Sequence, residues 1–301
     1  MPHEPNTHAT HHIETRDARR LAYSEYGAPD GAPLIYHHGF PSSRREAALL
    51  HETASAAGAR IIAPDRPGYG DSDDAPQRRL IDWAGDVEQL SDHLKLEQFG
   101  LIGVSGGGPY ALACAHHLSR HQPERLGGCA LVCPLGPIYI DELLHQMNWA
   151  ARANLAVGKQ PRWIADLIFG GPTPALLHHW PQLVEDMRSI AAPPADRALL
   201  GDRDIAGILN QTIADAMQNS AKGARRDLML YTHDWHIPFA AIEHPVHIWH
   251  GLADGTVPVE HARWLAQQLP HSELTELPGE GHYSVPIRYA RQILDALLAA
   301  A

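Results

Sequence analysis

Residues 100–109 read GLIGVSGGGP and join a short apolar run to a helical pattern. The apolar run at 100–104 predicts a buried strand, and the spacing of apolar residues from 109 to 118 predicts a helix. Between them, Gly103-Val104-Ser105-Gly106-Gly107 fits the pattern G-x-S-x-G. In that context the serine lies on a tight turn, with its hydroxyl above the sheet and helix N–H groups beside it. The competing interpretation is a glycine-rich turn whose serine is incidental.

Short apolar runs alternate with helical patterns on both sides of this stretch. They predict strands at 20–26, 34–36, 60–63, 100–104, 126–133, 246–249 and 273–277, and helices at 46–57, 80–94, 109–118, 259–269 and 286–300. Such alternation is typical of parallel strands joined by right-handed crossovers. We therefore predict an α/β fold with a doubly wound, mostly parallel sheet. Binding groups are expected at the carboxyl ends of its strands.

The alternation is interrupted between residues 134 and 244. This segment shows no good strand pattern and instead predicts helices at 140–156, 163–169, 174–190 and 204–231. We expect residues 1–133 and 245–301 to form one core, with 134–244 inserted as a helical lid. Some of the large apolar side chains of the lid are expected to line an apolar pocket.

The composition restricts the class of protein and its partners. Of the 301 residues, 44% are hydrophobic and 20% charged, as in globular proteins. The 24 basic and 35 acidic residues give a net charge of −11, which disfavours nucleic acid and anionic membranes as partners. No apolar stretch reaches the roughly 18 residues of a membrane-spanning helix. With three cysteines and no apolar leader pattern, we expect a reduced, cytoplasmic protein.

A nucleophilic serine needs a base, and the base needs an orienting carboxylate. On a sheet of this kind the acid and then the histidine follow the serine in sequence. Asp254 lies in the loop after the strand at 246–249, and His282 lies in the loop after the strand at 273–277. Both loops are expected on the sheet edge that carries Ser105. We predict the triad Ser105, Asp254 and His282, with Glu280 and His250 as alternatives.

A second loop is expected to contribute to the same edge. His38-Gly39-Phe40-Pro41 follows the strand at 34–36. In this position a backbone N–H can reach the oxyanion that forms when the serine attacks a carbonyl. We predict that the N–H groups of Phe40 and Gly106 form the oxyanion hole. The alternative for this loop is a capped turn without a catalytic role.

The same glycines also fit a nucleotide-binding pattern, because residues 106–111 match G-x-G-x-x-A. However, no acidic residue ends the next strand at 126–133, where a ribose partner would be required. The many histidine pairs lack the spacing of a three-ligand metal site. We therefore predict no cofactor and no functional metal.

Taken together, these motifs resemble the α/β-hydrolase fold superfamily. The matching pieces are His38-Gly39-Phe40-Pro41, Asp65-Arg66-Pro67-Gly68-Tyr69-Gly70-Asp71-Ser72, Gly103-Val104-Ser105-Gly106-Gly107, Gly251-Leu252-Ala253-Asp254 with Val257-Pro258, and Gly281-His282. The resemblance implies that Ser105 attacks an acyl carbon, His282 takes its proton, Asp254 holds His282, and water releases the acyl group. The stretch at 65–72 looks structural in this superfamily.

Departures from the patterns of individual families narrow the expected chemistry. Epoxide hydrolases and haloalkane dehalogenases share the His-Gly-Phe-Pro look but use an aspartate nucleophile, and here that position is Ser105. Proline iminopeptidases often carry tryptophan where this chain has Gly106. The His-Gly-Gly-Gly motif of many lipases and hormone-sensitive-type esterases is absent.

Three functions remain open from the sequence. The favoured one is hydrolysis of a small-molecule hydrophobic ester or lactone. The second is amide or peptide cleavage like that of a proline iminopeptidase, which needs an acidic anchor such as Asp141, Glu142, Asp166, Glu185 or Asp227. The third is a non-enzymatic ligand sensor that keeps the triad. The sequence does not predict an oligomeric state.

Overall fold

The computed structural model describes residues 9–159, 192–218 and 221–299. Its strands are β1 (His11–Glu14), β2 (Arg20–Gly27), β3 (Ala32–His37), β4 (Ala59–Pro64), β5 (Phe99–Val104), β6 (Leu126–Val132), β7 (Val246–Gly251) and β8 (Ser272–Leu277). They form one sheet of eight strands in the order β1-β2-β4-β3-β5-β6-β7-β8. β2 is antiparallel to both of its neighbours, and every other adjacent pair is parallel. The predicted α/β fold is confirmed.

The helices of the described residues lie between and after these strands. They are α1 (His51–Ala57), α2 (Trp83–His93), α3 (Gly108–His121), α4 (Asp141–Gln146), α5 (Trp149–Ala156), α6 (Pro194–Leu200), α7 (Arg203–Met217), α8 (Lys222–Tyr231), α9 (Val259–Gln268), α10 (Ser284–Arg288) and α11 (Ala290–Leu298). A 3₁₀ helix, Arg44–Leu50, precedes α1. No helix within these ranges is long and apolar enough to cross a membrane.

Side chains that alternate along the strands divide the core into two layers. One layer packs against α2, α3 and α9 and includes Ile35, Ile62, Leu101, Cys129 and Ile248. The other packs against α1 and α11 and includes Leu34, Tyr36, Ile61, Ile102 and Ala130. Because both faces of the sheet are covered, its central strands are buried from end to end, as continuous apolar runs predict. The cysteines Cys114, Cys129 and Cys133 are free and buried.

Several element boundaries differ from the sequence predictions. The helix predicted at 140–156 is two helices, because Met147 is extended and the Asn148 side chain accepts the Ala151 N–H at the start of α5. The regions 204–231 and 286–300 likewise each contain two helices, α7 with α8 and α10 with α11. The helix predicted at 46–57 begins as the 3₁₀ turn. Strand β1 was not predicted because only Ile13 of its four residues is buried.

The segment between β6 and β7 contains helices α4 to α8 and no strand within the described ranges. The helices predicted at 163–169 and 174–190 lie outside the described residues. We call residues 134–244 the insertion. Its role as a lid remains a prediction.

Candidate active site

Ser105 lies directly after β5, on the turn that leads into α3. Its φ is +54°, a left-handed conformation that is costly for a residue other than glycine and common where a side chain must be held in a fixed direction. A Cβ on Gly103 would lie 2.7 Å from the Cβ of Ala111, and one on Gly107 would collide with the carbonyl of His37. The turn therefore requires the small residues that the G-x-S-x-G pattern supplies.

The loops after β7 and β8 bring Asp254 and His282 to Ser105. His282 Nε2 lies 3.0 Å from Ser105 Oγ, and His282 Nδ1 lies 2.6 Å from Asp254 Oδ2. Because the carboxylate accepts at Nδ1, that nitrogen carries the proton and Nε2 is free to accept one from the serine hydroxyl. The other carboxylate oxygen of Asp254 accepts the N–H groups of Thr256 and Val257, both at 2.8 Å. The structure thus assembles all three residues that the sequence nominated.

The charge of Asp254 is stabilised by its surroundings. Burial alone would raise the pKa of this carboxyl, but His282 and the loop N–H groups outweigh burial and hold it below its usual range.

The two residues considered as alternatives for the triad, His250 and Glu280, have other partners. His250 Nε2 lies 2.9 Å from the carbonyl of Val257 and 3.6 Å from Asp254. Glu280 pairs with Arg288 at 3.2 Å.

The backbone segments nominated for the oxyanion hole are adjacent. A Cβ on Gly39 would lie 3.6 Å from the Cβ of Ser105, and one on Gly106 would lie 2.7 Å from the Cβ of Phe40. The Phe40 ring also packs edge-on against Tyr231. The N–H groups of Phe40 and Gly106 therefore belong to peptide units that flank the serine, and their role as donors remains a prediction.

A cleft of about 610 Å³, including its opening to solvent, lies over Ser105. Its apolar lining is Phe40, Pro41, Leu49, Leu50, Val104, Leu209, Ile213, Pro286 and Ile287. Its polar lining includes Tyr36, Ser42, Glu46 and Thr212 as well as His282. Leu209, Thr212 and Ile213 belong to α7, so the insertion forms part of the wall.

Two acidic residues at the site were missed by sequence reasoning. Asp196, in α6, accepts the N–H groups of His282 at 2.8 Å, Tyr283 at 3.1 Å and Ser284 at 2.8 Å. Glu46 accepts the Tyr36 hydroxyl at 2.7 Å and the Gly39 N–H at 3.1 Å, and it is also bonded to Ser42. Asp196 is far along the chain from its partners, and only the glycine before His282, where a Cβ would collide with Asp196, hints at it.

Cys133 also lies close to the triad. Its sulfur and one ligand atom each of Asp254 and His282 lie within 4.8 Å of one another. Burial raises the pKa of the Cys133 thiol, so the sulfur is protonated at neutral pH. Asp254 and His282 are hydrogen-bonded to each other. We therefore interpret the cluster as two members of the triad beside a thiol rather than as a metal site.

The chain belongs to the α/β hydrolase fold family, whose model matches residues 32–288. It is 29% identical over 284 residues to the dihydrolipoyllysine-residue acetyltransferase component of the acetoin cleaving system of Pseudomonas putida, covering 93% of this chain and 66% of that protein. It is 26% identical to the non-heme chloroperoxidase CPO-A1 of Kitasatospora aureofaciens, covering 89% of this chain and 90% of that protein.

Among solved structures, an esterase from Exiguobacterium antarcticum superposes with a TM-score of 0.69 at 19% identity, over 97% of this chain and 98% of that one. This likeness concerns the fold. Membership of this family supports a hydrolase.

Proposed function

We propose that the protein is a serine hydrolase that cleaves a small to medium hydrophobic carboxylic ester or lactone through an acyl-enzyme. The observation that carries this proposal is the continuous chain of hydrogen bonds from Asp254 through His282 to Ser105, at the base of a mainly apolar cleft. This is the arrangement that nucleophilic catalysis by serine requires.

The chemistry follows from the donors and acceptors. His282 Nε2 takes the proton of the Ser105 hydroxyl while Oγ attacks the acyl carbon, and Asp254 stabilises the imidazolium that forms. The N–H groups of Phe40 and Gly106 donate to the oxyanion. His282 then gives its proton to the departing alkoxide, which leaves an acyl group on Ser105. Water, deprotonated by His282, attacks the acyl carbon, and the acid leaves as Ser105 regains its proton.

The contacts of the acidic residues favour an ester over an amine-bearing peptide. Asp227, nominated as an anchor for a substrate amine, is fully buried and paired with Arg66 and Arg78. Asp141 and Glu142 are exposed, and Asp166 and Glu185 lie outside the described residues. Glu46 lines the cleft, but its oxygens already accept from Tyr36, Ser42 and Gly39.

We assign the insertion the role of a lid that selects the substrate. The support for this role is that α7 supplies the apolar side chains of Leu209 and Ile213 to the cleft wall. A wall formed by the insertion allows the acyl chain to be chosen without changing the sheet that carries the triad.

A panel of p-nitrophenyl esters with acyl chains of rising length tests the proposal, with aminoacyl p-nitroanilides as the amide comparison. We expect turnover of the esters to exceed that of the amides, and Ser105→Ala to lower it by at least about a thousandfold. Ser55→Ala, an exposed serine on α1, is the matched control and should retain full activity. Tight ligand binding by a wild-type protein without turnover would favour the sensor instead.

A further inference from the structure

Arg66 is the second residue after β4 and is fully buried beside the proposed oxyanion hole. Its Nη2 donates to the carbonyl of Gly39 at 2.8 Å, and its Nη1 donates to the carbonyl of His38. Its Nε donates to Asp227 Oδ2 at 3.0 Å. All three nitrogens of the guanidinium are therefore engaged, two of them by the loop that carries Phe40.

The carbonyl that Arg66 holds belongs to the same peptide unit as the Phe40 N–H. Among the described residues only the Phe40–Pro41 bond is cis, so the Gly39–Phe40 unit is trans and planar. In such a unit the C=O and N–H point in opposite directions, and fixing one fixes the other. Arg66, on the carbonyl side, thus sets the direction of the N–H on the other side.

Two further contacts hold the same backbone. The Arg66 N–H can only donate, so His38 Nε2 accepts it at 3.3 Å, and His38 Nδ1–H then donates to the Gly39 carbonyl at 3.0 Å. The N–H of Gly39 itself donates to Glu46 at 3.1 Å. The residue before Phe40 is therefore held at both its N–H and its carbonyl.

The second proposed donor is fixed in an equivalent way without an arginine. The Gly106 N–H shares its peptide unit with the Ser105 carbonyl, which accepts the Leu135 N–H at 3.0 Å. The next carbonyl, that of Gly106, accepts the Tyr231 hydroxyl at 2.8 Å. The Phe40 side thus depends on a charged side chain, whereas the Gly106 side depends on backbone and a tyrosine.

Asp227, on helix α8 of the insertion, holds the guanidinium in place. Its carboxylate accepts from Arg66 and Arg78 and from the hydroxyls of Tyr69, Tyr110 and Tyr231. Burial would raise its pKa, but the two arginines outweigh burial and keep it at about 2, so Asp227 is charged at neutral pH. The Arg66 guanidinium also lies over the ring of Tyr110, 4.6 Å from its centroid.

We propose that Arg66, held by Asp227, is a positioning residue that aims the Phe40 N–H at the oxyanion. This inference rests on the proposed function and adds to it a role for the insertion in rate as well as in substrate choice. Buried ion pairs contribute little net stability compared with apolar residues, so stability alone does not account for the pair. A correctly aimed donor is worth roughly 100- to 1000-fold in kcat.

Arg66→Lys tests the proposal, because a single ammonium cannot reach Gly39, His38 and Asp227 together. We expect kcat on a p-nitrophenyl ester to fall about 10- to 100-fold with KM changed less than about threefold. The affinity of an alkyl trifluoromethyl ketone, whose serine adduct carries an oxyanion, should fall in the same proportion. Asp227→Asn, nearly isosteric, should give a smaller loss of the same pattern and serves if the lysine variant does not fold.

Arg19→Lys is the matched control, because it weakens an arginine–aspartate pair outside this network. Arg19 is half-buried and donates through both Nη atoms to Asp86 on α2, at 3.1 and 2.6 Å, and among the described residues its side chain has no hydrogen bond to Asp227 or to the loop before Phe40. We expect this variant to lower Tm while kcat and ketone affinity stay within about twofold of wild type.

Folded Arg66→Lys and Asp227→Asn proteins with wild-type kcat and ketone affinity would overturn the inference alone. Equal losses in Arg19→Lys would also overturn it, because weakening any arginine–aspartate pair would then lower the rate through stability alone. A wild type that neither turns over esters nor binds the ketone would instead overturn the proposed function, and this inference with it.

Discussion

Two regions of the molecule meet at Ser105, and they hold the site in different ways. The sheet presents Ser105, Asp254 and His282 on loops that follow three of its strands, and His282 is hydrogen-bonded to the side chains of the other two. The insertion presents two carboxylates: Asp196 accepts backbone N–H groups of the His282 loop, and Asp227 accepts from Arg66 in the loop after β4. On our account the sheet supplies the reacting groups and the insertion fixes their directions. Substitutions that break contacts of the sheet loops should therefore lower kcat by a different amount from substitutions that break contacts of the insertion.

After Ser105→Ala, the largest decrease in kcat is expected from Asp254→Asn in a loop of the sheet. An amide can donate to His282 Nδ1 and stabilise the tautomer that cannot accept the Ser105 proton. We expect kcat to fall about a thousandfold or more, with KM little changed, in steady-state kinetics on the preferred p-nitrophenyl ester. An unchanged kcat would mean that another carboxylate orients the histidine. Glu280→Gln, the alternative acid, is the control and should retain activity.

A smaller decrease in kcat is expected from Asp196→Asn in the insertion. The amide nitrogen of asparagine would face backbone N–H groups of the His282 loop, so at least one donor loses its acceptor. We expect kcat to fall by roughly 10-fold, since a misplaced base costs rate without removing chemistry.

The control for this effect is Asp202→Ala, also in the insertion. Asp202 caps α7 by accepting the N–H groups of Asp204 and Ile205. Its loss should cost about 1 kcal/mol of unfolding free energy and leave kcat unchanged. If Asp202→Ala lowers kcat as much as Asp196→Asn does, the insertion acts through general stability and the contrast between the two regions fails.

Buried histidines are expected to make the stability of the protein depend on pH. His261 is buried, accepts the Gly136 N–H at Nδ1 and donates from Nε2 to the Leu143 carbonyl. Burial lowers its pKa to about 4, and burial likewise lowers the pKa of His37 to about 4. Since an unfolded histidine titrates near pH 6.5, the unfolded chain binds more protons between about pH 6.5 and 4. Stability is therefore complete above that window and falls as the pH drops through it.

Each such histidine contributes a slope of about 1.4 kcal/mol per pH unit within the window. We expect His261→Gln, whose amide can still accept and donate, to remove one such contribution, as measured by urea unfolding at a series of pH values. Identical slopes in the variant and the wild type would show that His261 is protonated in the folded protein.

The smallest effect concerns the wall that α7 provides. Leu209→Ala enlarges the cleft by removing an apolar side chain that lines it. We expect kcat/KM to rise for longer acyl esters relative to shorter ones by up to about 10-fold, the scale at which pockets discriminate between methylene groups. Ile293→Ala, on the buried face of α11, should leave the ratio between chain lengths unchanged.

Features that depend on residues close together in the sequence could be predicted, whereas features that depend on contacts between distant residues could not. The strands around Ser105 and the loops holding Asp254 and His282 were predictable because their signals are local: apolar runs, glycine turns and a fixed order along the chain. Strand β1 gave no such signal, since its residues are mainly polar and it depends on pairing with β2.

The residues that complete the site are a different case. Arg66 and Asp227 are 161 positions apart, and Asp196 is 86 positions from His282. The local sequence around a helical aspartate does not reveal whether its carboxylate is buried and paired or exposed to solvent. The sequence therefore could not distinguish Asp227 as the partner of an arginine from Asp227 as an anchor for substrate.

Covalent labelling is the sharpest test of whether Ser105 is the nucleophile. The protein is treated with an alkyl fluorophosphonate and digested, and the site of modification is mapped by tandem mass spectrometry. We expect a single adduct on Ser105 that forms in the wild type, is absent in Ser105→Ala and forms much more slowly in His282→Ala. An adduct on another residue, or none in a folded wild type, would contradict it.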